Sequence, residues 1–122
     1  MTTNPSLVSV VDDDESVRES LPDLLREFGF AVRAFSSAED FLASEFVDQT
    51  KCLVLDIGMP GMTGPELQLE LKQRGQKIPI IFITALRDET VRSQVLGEGA
   101  IDCLFKPFSE TALSDAVNAA LE

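Results

Sequence analysis

Histidine is absent from the 122 residues, as are tryptophan and tyrosine, and cysteine occurs only twice. Without histidine there is no imidazole general base, no Ser-His-Asp or Cys-His nucleophile pair, and no His-ligated zinc or haem. Cys52 and Cys103 are too few for a disulfide framework, and each sits in an apolar stretch, which reads as a small buried hydrophobe. Basic residues are scarce. Ten Lys and Arg against 21 Asp and Glu leave a net charge of −11, a sign that nucleic-acid phosphates repel, so direct nucleic-acid binding by this segment is not expected. No apolar run approaches the ~20 residues of a membrane span. The opening residues MTTNPSL have neither the basic nor the apolar part of a secretory leader, and a cytoplasmic protein without membrane contact is expected.

What is present is a globular composition, 44% apolar and 25% charged, at a length suited to one domain spanning residues 1–122. Five short apolar runs recur: Leu7–Val11, Phe30–Phe35, Cys52–Asp56, Pro79–Thr84 and Ala100–Phe105. Their length and their Val, Ile and Phe content predict strands. Between them the apolar residues fall at helical spacing, as in Val17, Leu21, Leu24, Leu25 and Phe28, or Leu113, Ala116, Val117, Ala120 and Leu121. Ser36 with Glu39 and Thr63 with Glu66 fit capping boxes, Asp88 and Ser109 fit N-caps, and Gly29, Gly75 and Gly97 mark helix ends. Pro22 interrupts the first helical pattern, so a kink or a displaced helix start is expected there. Strict alternation of strand and helix predicts an α/β fold, a doubly wound parallel sheet with helices on both faces. Ligands of such sheets bind beyond the carboxyl ends of the strands. The residues that follow each strand are therefore the ones to read for chemistry.

The first run ends in Asp12, Asp13, Asp14 and Glu15, either an acidic helix start favoured by the macrodipole or part of a site. A calcium loop fits poorly, because counting from Asp12 puts Val17 where glycine is needed and Asp23 at the twelfth place. The third run closes on Asp56, followed by Gly58, Pro60, Gly61 and Gly64; a charge there is hard to explain by packing. The fourth ends in Thr84 and Ala85, the fifth in Phe105, Lys106 and Pro107. Singly, Thr84 and Lys106 read as ordinary residues. Together, an acid pair, an acid, a hydroxyl and an ammonium on one rim make a phosphoryl-transfer set. The carboxylates would hold a hard divalent ion such as Mg2+, and an aspartate would serve as nucleophile.

At these residues the chain closely resembles the receiver domain of two-component response regulators. Five elements fall in order from about Leu7 to Leu121: VVDDDE, LDIGMPGMTG, FITA, the Gly99-Ala100 pair before the fifth strand, and FKPF. DESVRESL, GFAVRAFSSAEDFL and DCLFKPF resemble the FixJ-like subgroup, whose members often carry a C-terminal helix-turn-helix. The resemblance implies a flavodoxin-like sheet of strand order 2-1-3-4-5 and Asp56 as phosphoacceptor. It also implies metal binding by Asp13, by Asp12 through bound water, by Asp56 and by the Gly58 carbonyl. Thr84 matches the switch hydroxyl, the Ala85 amide helps bind the phosphoryl group, and Lys106 matches its ammonium partner. The implied partners are a sensor histidine kinase, which carries the phosphohistidine, and a second copy of the chain after phosphorylation; the implied Lys106–Pro107 bond is cis.

One position departs from the family pattern. Three residues before Lys106, where the family usually has Tyr or Phe, stands Cys103. An aromatic toggle cannot work there, and Phe105, two residues on, is expected to supply the ring at a partly exposed signalling surface. Two other families match parts of this pattern. A haloacid-dehalogenase-like phosphatase would explain Asp12-x-Asp14, but its later acidic motif and cap are missing. An FMN carrier would need a Ser/Thr/Gly-rich phosphate loop and a Trp or Tyr to stack on the flavin.

Overall fold

The computed structural model describes residues 5–122; Met1–Asn4, on which part of the leader reading rests, lie outside the described residues. Strands β1 (Leu7–Val11), β2 (Ala31–Phe35), β3 (Thr50–Asp56), β4 (Ile80–Thr84) and β5 (Asp102–Phe105) alternate with five helices. These are α1 (Glu15–Glu27), α2 (Ala38–Ala43), α3 (Gly64–Gln73), α4 (Glu89–Gly97) and α5 (Glu110–Leu121). All strand pairs are parallel and the order is β2-β1-β3-β4-β5, the expected doubly wound sheet.

The period of two along each strand divides the core. Val8, Val10, Cys52, Val54, Ile81 and Ile83 face one side with Leu21, Leu25, Leu113 and Val117 of α1 and α5. Val11, Leu53, Leu55 and Phe82 face the other with Phe41, Leu67, Leu71 and Val95 of α2, α3 and α4. A sheet covered on both faces needs apolar residues in both phases, which is why β4 reads IIFIT and is buried throughout. The buried polar pair at the far end of the sheet is satisfied: the Thr50 hydroxyl donates to the Phe46 carbonyl at 2.7 Å, and the Ser9 hydroxyl donates to Thr50 Oγ1 at 2.7 Å.

Several local expectations need correction. Ser37 caps α2, accepting from the Asp40 amide at 3.0 Å, while Ser36 binds the Asp40 carboxylate and Glu39 turns outward to another loop. Gly97 is the last helical residue of α4; the left-handed position that closes this end is Gly99, φ +107°. Helix α1 keeps its start at the Asp14 cap and carries the buried Pro22 within it, so no displaced start occurs. The Thr63–Glu66 capping box, the Asp88 and Ser109 caps, and the left-handed Gly29 and Gly75 are as read. The Lys106–Pro107 bond is cis.

Candidate phosphoryl-transfer site

The site is built by strand register. The Asp12 amide donates to the Phe35 carbonyl, the Ile57 amide to Ile83 and the Lys106 amide to Thr84, which brings the carboxyl ends of the strands to one rim. On that rim Asp12, Asp13 and Asp56 each offer a carboxylate oxygen, all within 4.8 Å of one another. Asp12 is fully buried, Asp56 is 7% exposed, and Asp13 lies at the mouth. Lys106 Nζ reaches across from the end of β5 and donates to Asp12 Oδ2 at 3.0 Å. Asp12 Oδ1 accepts from the Asp14 amide at 2.9 Å, so both of its oxygens are engaged.

Burial pushes the Asp56 carboxyl up to about 7, reinforced by the negative charge of Asp12 and opposed by Lys106. Three clustered acids against one ammonium leave an excess of negative charge in a partly dry site, which is the donor set that a hard divalent cation satisfies. Asp14 stands apart. Its carboxylate accepts from the Ser16 amide at 2.9 Å and the Ser16 hydroxyl at 2.7 Å, bonds that hold it below the usual carboxylate range as the α1 cap. The Asp12-x-Asp14 pair therefore does not act as a unit, which removes the main support for the phosphatase reading.

Gly64 explains how α3 can begin so close to the nucleophile candidate. A side chain there would collide with the backbone carbonyl of Asp56 and would sit 3.0 Å from the Ile57 Cα and the Phe82 ring. Thr84 is 4% exposed and its hydroxyl accepts from the Leu86 amide at 3.1 Å, turned into the loop that follows β4. Gly58 and Ala85 occupy the exposed loops just beyond Asp56 and Thr84. Cys103 is 2% exposed, and burial raises its thiol pKa, so it is a packing residue. Phe105 is half-buried at the strand end, as expected.

Over residues 8–118 the chain matches the response regulator receiver domain family. The chain belongs to that family. It is 47% identical over 120 residues to the transcriptional regulatory protein TdiR of Thauera aromatica, which covers 98% of this chain and 53% of TdiR. The solved response regulator StyR superposes with a TM-score of 0.88 at 49% identity, over 96% of this chain and 59% of that one. The crystal structure of FixJ-N gives 0.86 at 38% identity, over 99% and 95%. This receiver domain spans about half the length of the curated relatives it matches, and its likeness to FixJ agrees with the subgroup read from its segments.

Two residues of the receiver's site escaped the sequence reading. Arg18 Nη1 donates to the backbone carbonyl of Asp12 at 2.9 Å, and Glu39 accepts from the Met62 amide at 3.1 Å, tying α2 to the loop after Asp56. Arg18 lies six residues beyond Asp12 on the next helix, a spacing a sequence can show. The 23-residue separation of Glu39 and Met62 gives no such signal.

Proposed function

We propose that this receiver domain accepts a phosphoryl group on Asp56 from the phosphohistidine of a sensor kinase. The reading rests on the buried Asp56 carboxyl gathered with Asp12 and Asp13 opposite the ammonium of Lys106. The acids fit Mg2+: Asp13, Asp56 and the Gly58 carbonyl would hold it, with Asp12 acting through bound water. When bound, the ion supplies charge neutralisation between the acids and the incoming phosphoryl oxygens.

An Asp56 carboxylate oxygen attacks phosphorus in line; the O–P bond forms as the N–P bond of the donor breaks, and the departing imidazole takes up a proton from solvent. Lys106, the Thr84 hydroxyl and the Ala85 amide bind the transferred oxygens. Water later cleaves the acyl phosphate and returns Asp56, so the domain is a self-dephosphorylating switch and not a turnover enzyme. Its output is protein contact: a second copy of the chain after phosphorylation, and control of a C-terminal DNA-binding domain in the cytoplasm. The related regulators, of which this chain covers half, support that last assignment.

Incubation with acetyl phosphate and Mg2+ tests the reading. Wild type becomes labelled and Asp56→Asn does not; equal labelling of the variant overturns the assignment. EDTA abolishes labelling of wild type, and gel filtration before and after labelling reports the change in association state.

A further inference from the structure

The segment between Thr84 and α4 buries none of its side chains, and its inward tie is the Leu86 amide on the buried Thr84 hydroxyl at 3.1 Å, a bond lost if that hydroxyl turns toward a phosphoryl group. Residues 85–88 are all exposed, Leu86 to 70%, and beneath them lies a void of about 40 Å3 lined by Ile57, Thr84, Leu86, Asp88 and Val91. Something other than packing must fix the loop that starts at Thr84. Phe105 is the register partner of Thr84 on β5, and two guanidinium groups approach its ring. Arg87, three residues beyond Thr84, lies 5.5 Å from the ring centroid, and Arg92 of α4 lies 5.8 Å from it. Both are within the range of a cation–π contact. Arg92 is further fixed by the Cys103 carbonyl at 3.4 Å and by Glu89 and Asp102 at 3.7 and 3.9 Å. Arg87 forms no ion pair among the described residues.

We infer that Arg87 and Arg92 clasp the Phe105 ring as a latch that holds the loop after Thr84 in its unphosphorylated position. This inference rests on the assignment of Asp56 and Thr84 made above. The near end of the loop is tied to β5 by the Lys106 amide on the Thr84 carbonyl at 2.8 Å, and the far end is tied to the same strand by Arg87 on Phe105. Movement of Thr84 toward a phosphoryl group pulls on a loop closed at both ends, and the Arg87 contact is the weaker tie. Cys103 is buried and cannot swing, whereas the Phe105 ring on the same strand face is held from outside by Arg87 and Arg92.

By linkage, whatever the latch contributes to the resting state is subtracted from phosphoryl binding. An exposed cation–π contact corresponds to about a two- to five-fold change in affinity. The probe is beryllium fluoride, a phosphoryl mimic, titrated with Mg2+ into the folded domain and read by 19F NMR. Arg87→Gln and Phe105→Leu each bind it about two- to five-fold more tightly than wild type, and the double variant gains no more than the larger single effect. Charge alone predicts the opposite sign, because Arg87→Gln removes a cation from an anion site. Unchanged or weaker binding by Arg87→Gln, an exposed change that leaves the core intact, overturns the latch. So does equal tightening in Arg33→Gln, whose guanidinium stacks on Phe46 away from the site. A wild type that binds no beryllium fluoride, or binds it as well after Asp56→Asn, refutes the phosphoacceptor assignment itself.

Discussion

At the scale of single residues, the site is organised around a carboxyl that resists ionisation. Asp56 is raised from 3.8 to about 7, first by burial and then by the charge of Asp12. Between these values the native state holds a proton that the unfolded chain has released. Stability from this group is therefore full below about pH 4 and is lost as pH rises through 7. Asp56→Asn removes that loss. In metal-free buffer the variant should match wild type near pH 4 and exceed it increasingly toward pH 8, with a ceiling on the order of 4 kcal/mol. Urea unfolding across that range checks the sign; a gap that shrinks with pH contradicts it. Lys106 acts in the opposite direction on the same carboxyl. Lys106→Met should move the Asp56 titration midpoint, followed by carboxyl 13C NMR, above its wild-type value, and should leave the buried Asp12 without its 3.0 Å partner.

At the scale of elements, glycines separate two kinds of constraint. Gly64 opens α3 against the carbonyl of Asp56, where a methyl group has no space and the obstacle is backbone. Gly64→Ala should destabilise the domain by about 1–3 kcal/mol through overpacking and lower Asp56 labelling with it. Gly97, inside the last turn of α4 with open space around it, should behave in the opposite way. Gly97→Ala should stabilise by about 0.4–1 kcal/mol and leave labelling intact. Thermal unfolding of the two variants side by side distinguishes them. The same residues show what a sequence reveals about elements. The short, nearly continuous apolar runs located all five strands, because a sheet covered on both faces must be written in apolar residues. The ends were less legible. Gly97 and Gly99 are both plausible stops, and only the left-handed φ at Gly99 distinguishes them; Ser36 and Ser37 compete for one cap, and the choice depends on where Glu39 finds the Met62 amide.

At the scale of the whole molecule, strand-end logic made the acids, the hydroxyl and the lysine legible, since parallel topology brings residues after different strands to one rim. The pairing among them was not, because Lys106 and Asp12 lie 94 residues apart and either Asp56 or Asp12 could have taken the ammonium. That pairing matters for the response to cations. With a net charge of −11, any salt should stabilise the fold somewhat by screening self-repulsion. Specific occupancy of the Asp12, Asp13 and Asp56 cluster adds a saturable gain that screening lacks. At a hundredfold excess of Mg2+ over its dissociation constant this gain is about 2.7 kcal/mol, a rise in melting temperature on the order of 10 °C for a domain this size. Asp13→Asn, which removes the exposed acid and leaves the Lys106–Asp12 pair in place, should abolish the saturable part and keep the response to NaCl. Melting curves at matched ionic strength, with NaCl or MgCl2, separate the two effects. Coincident curves for wild type would mean that the cluster is screened and not occupied, and the metal-dependent chemistry proposed for Asp56 would then lack its cation.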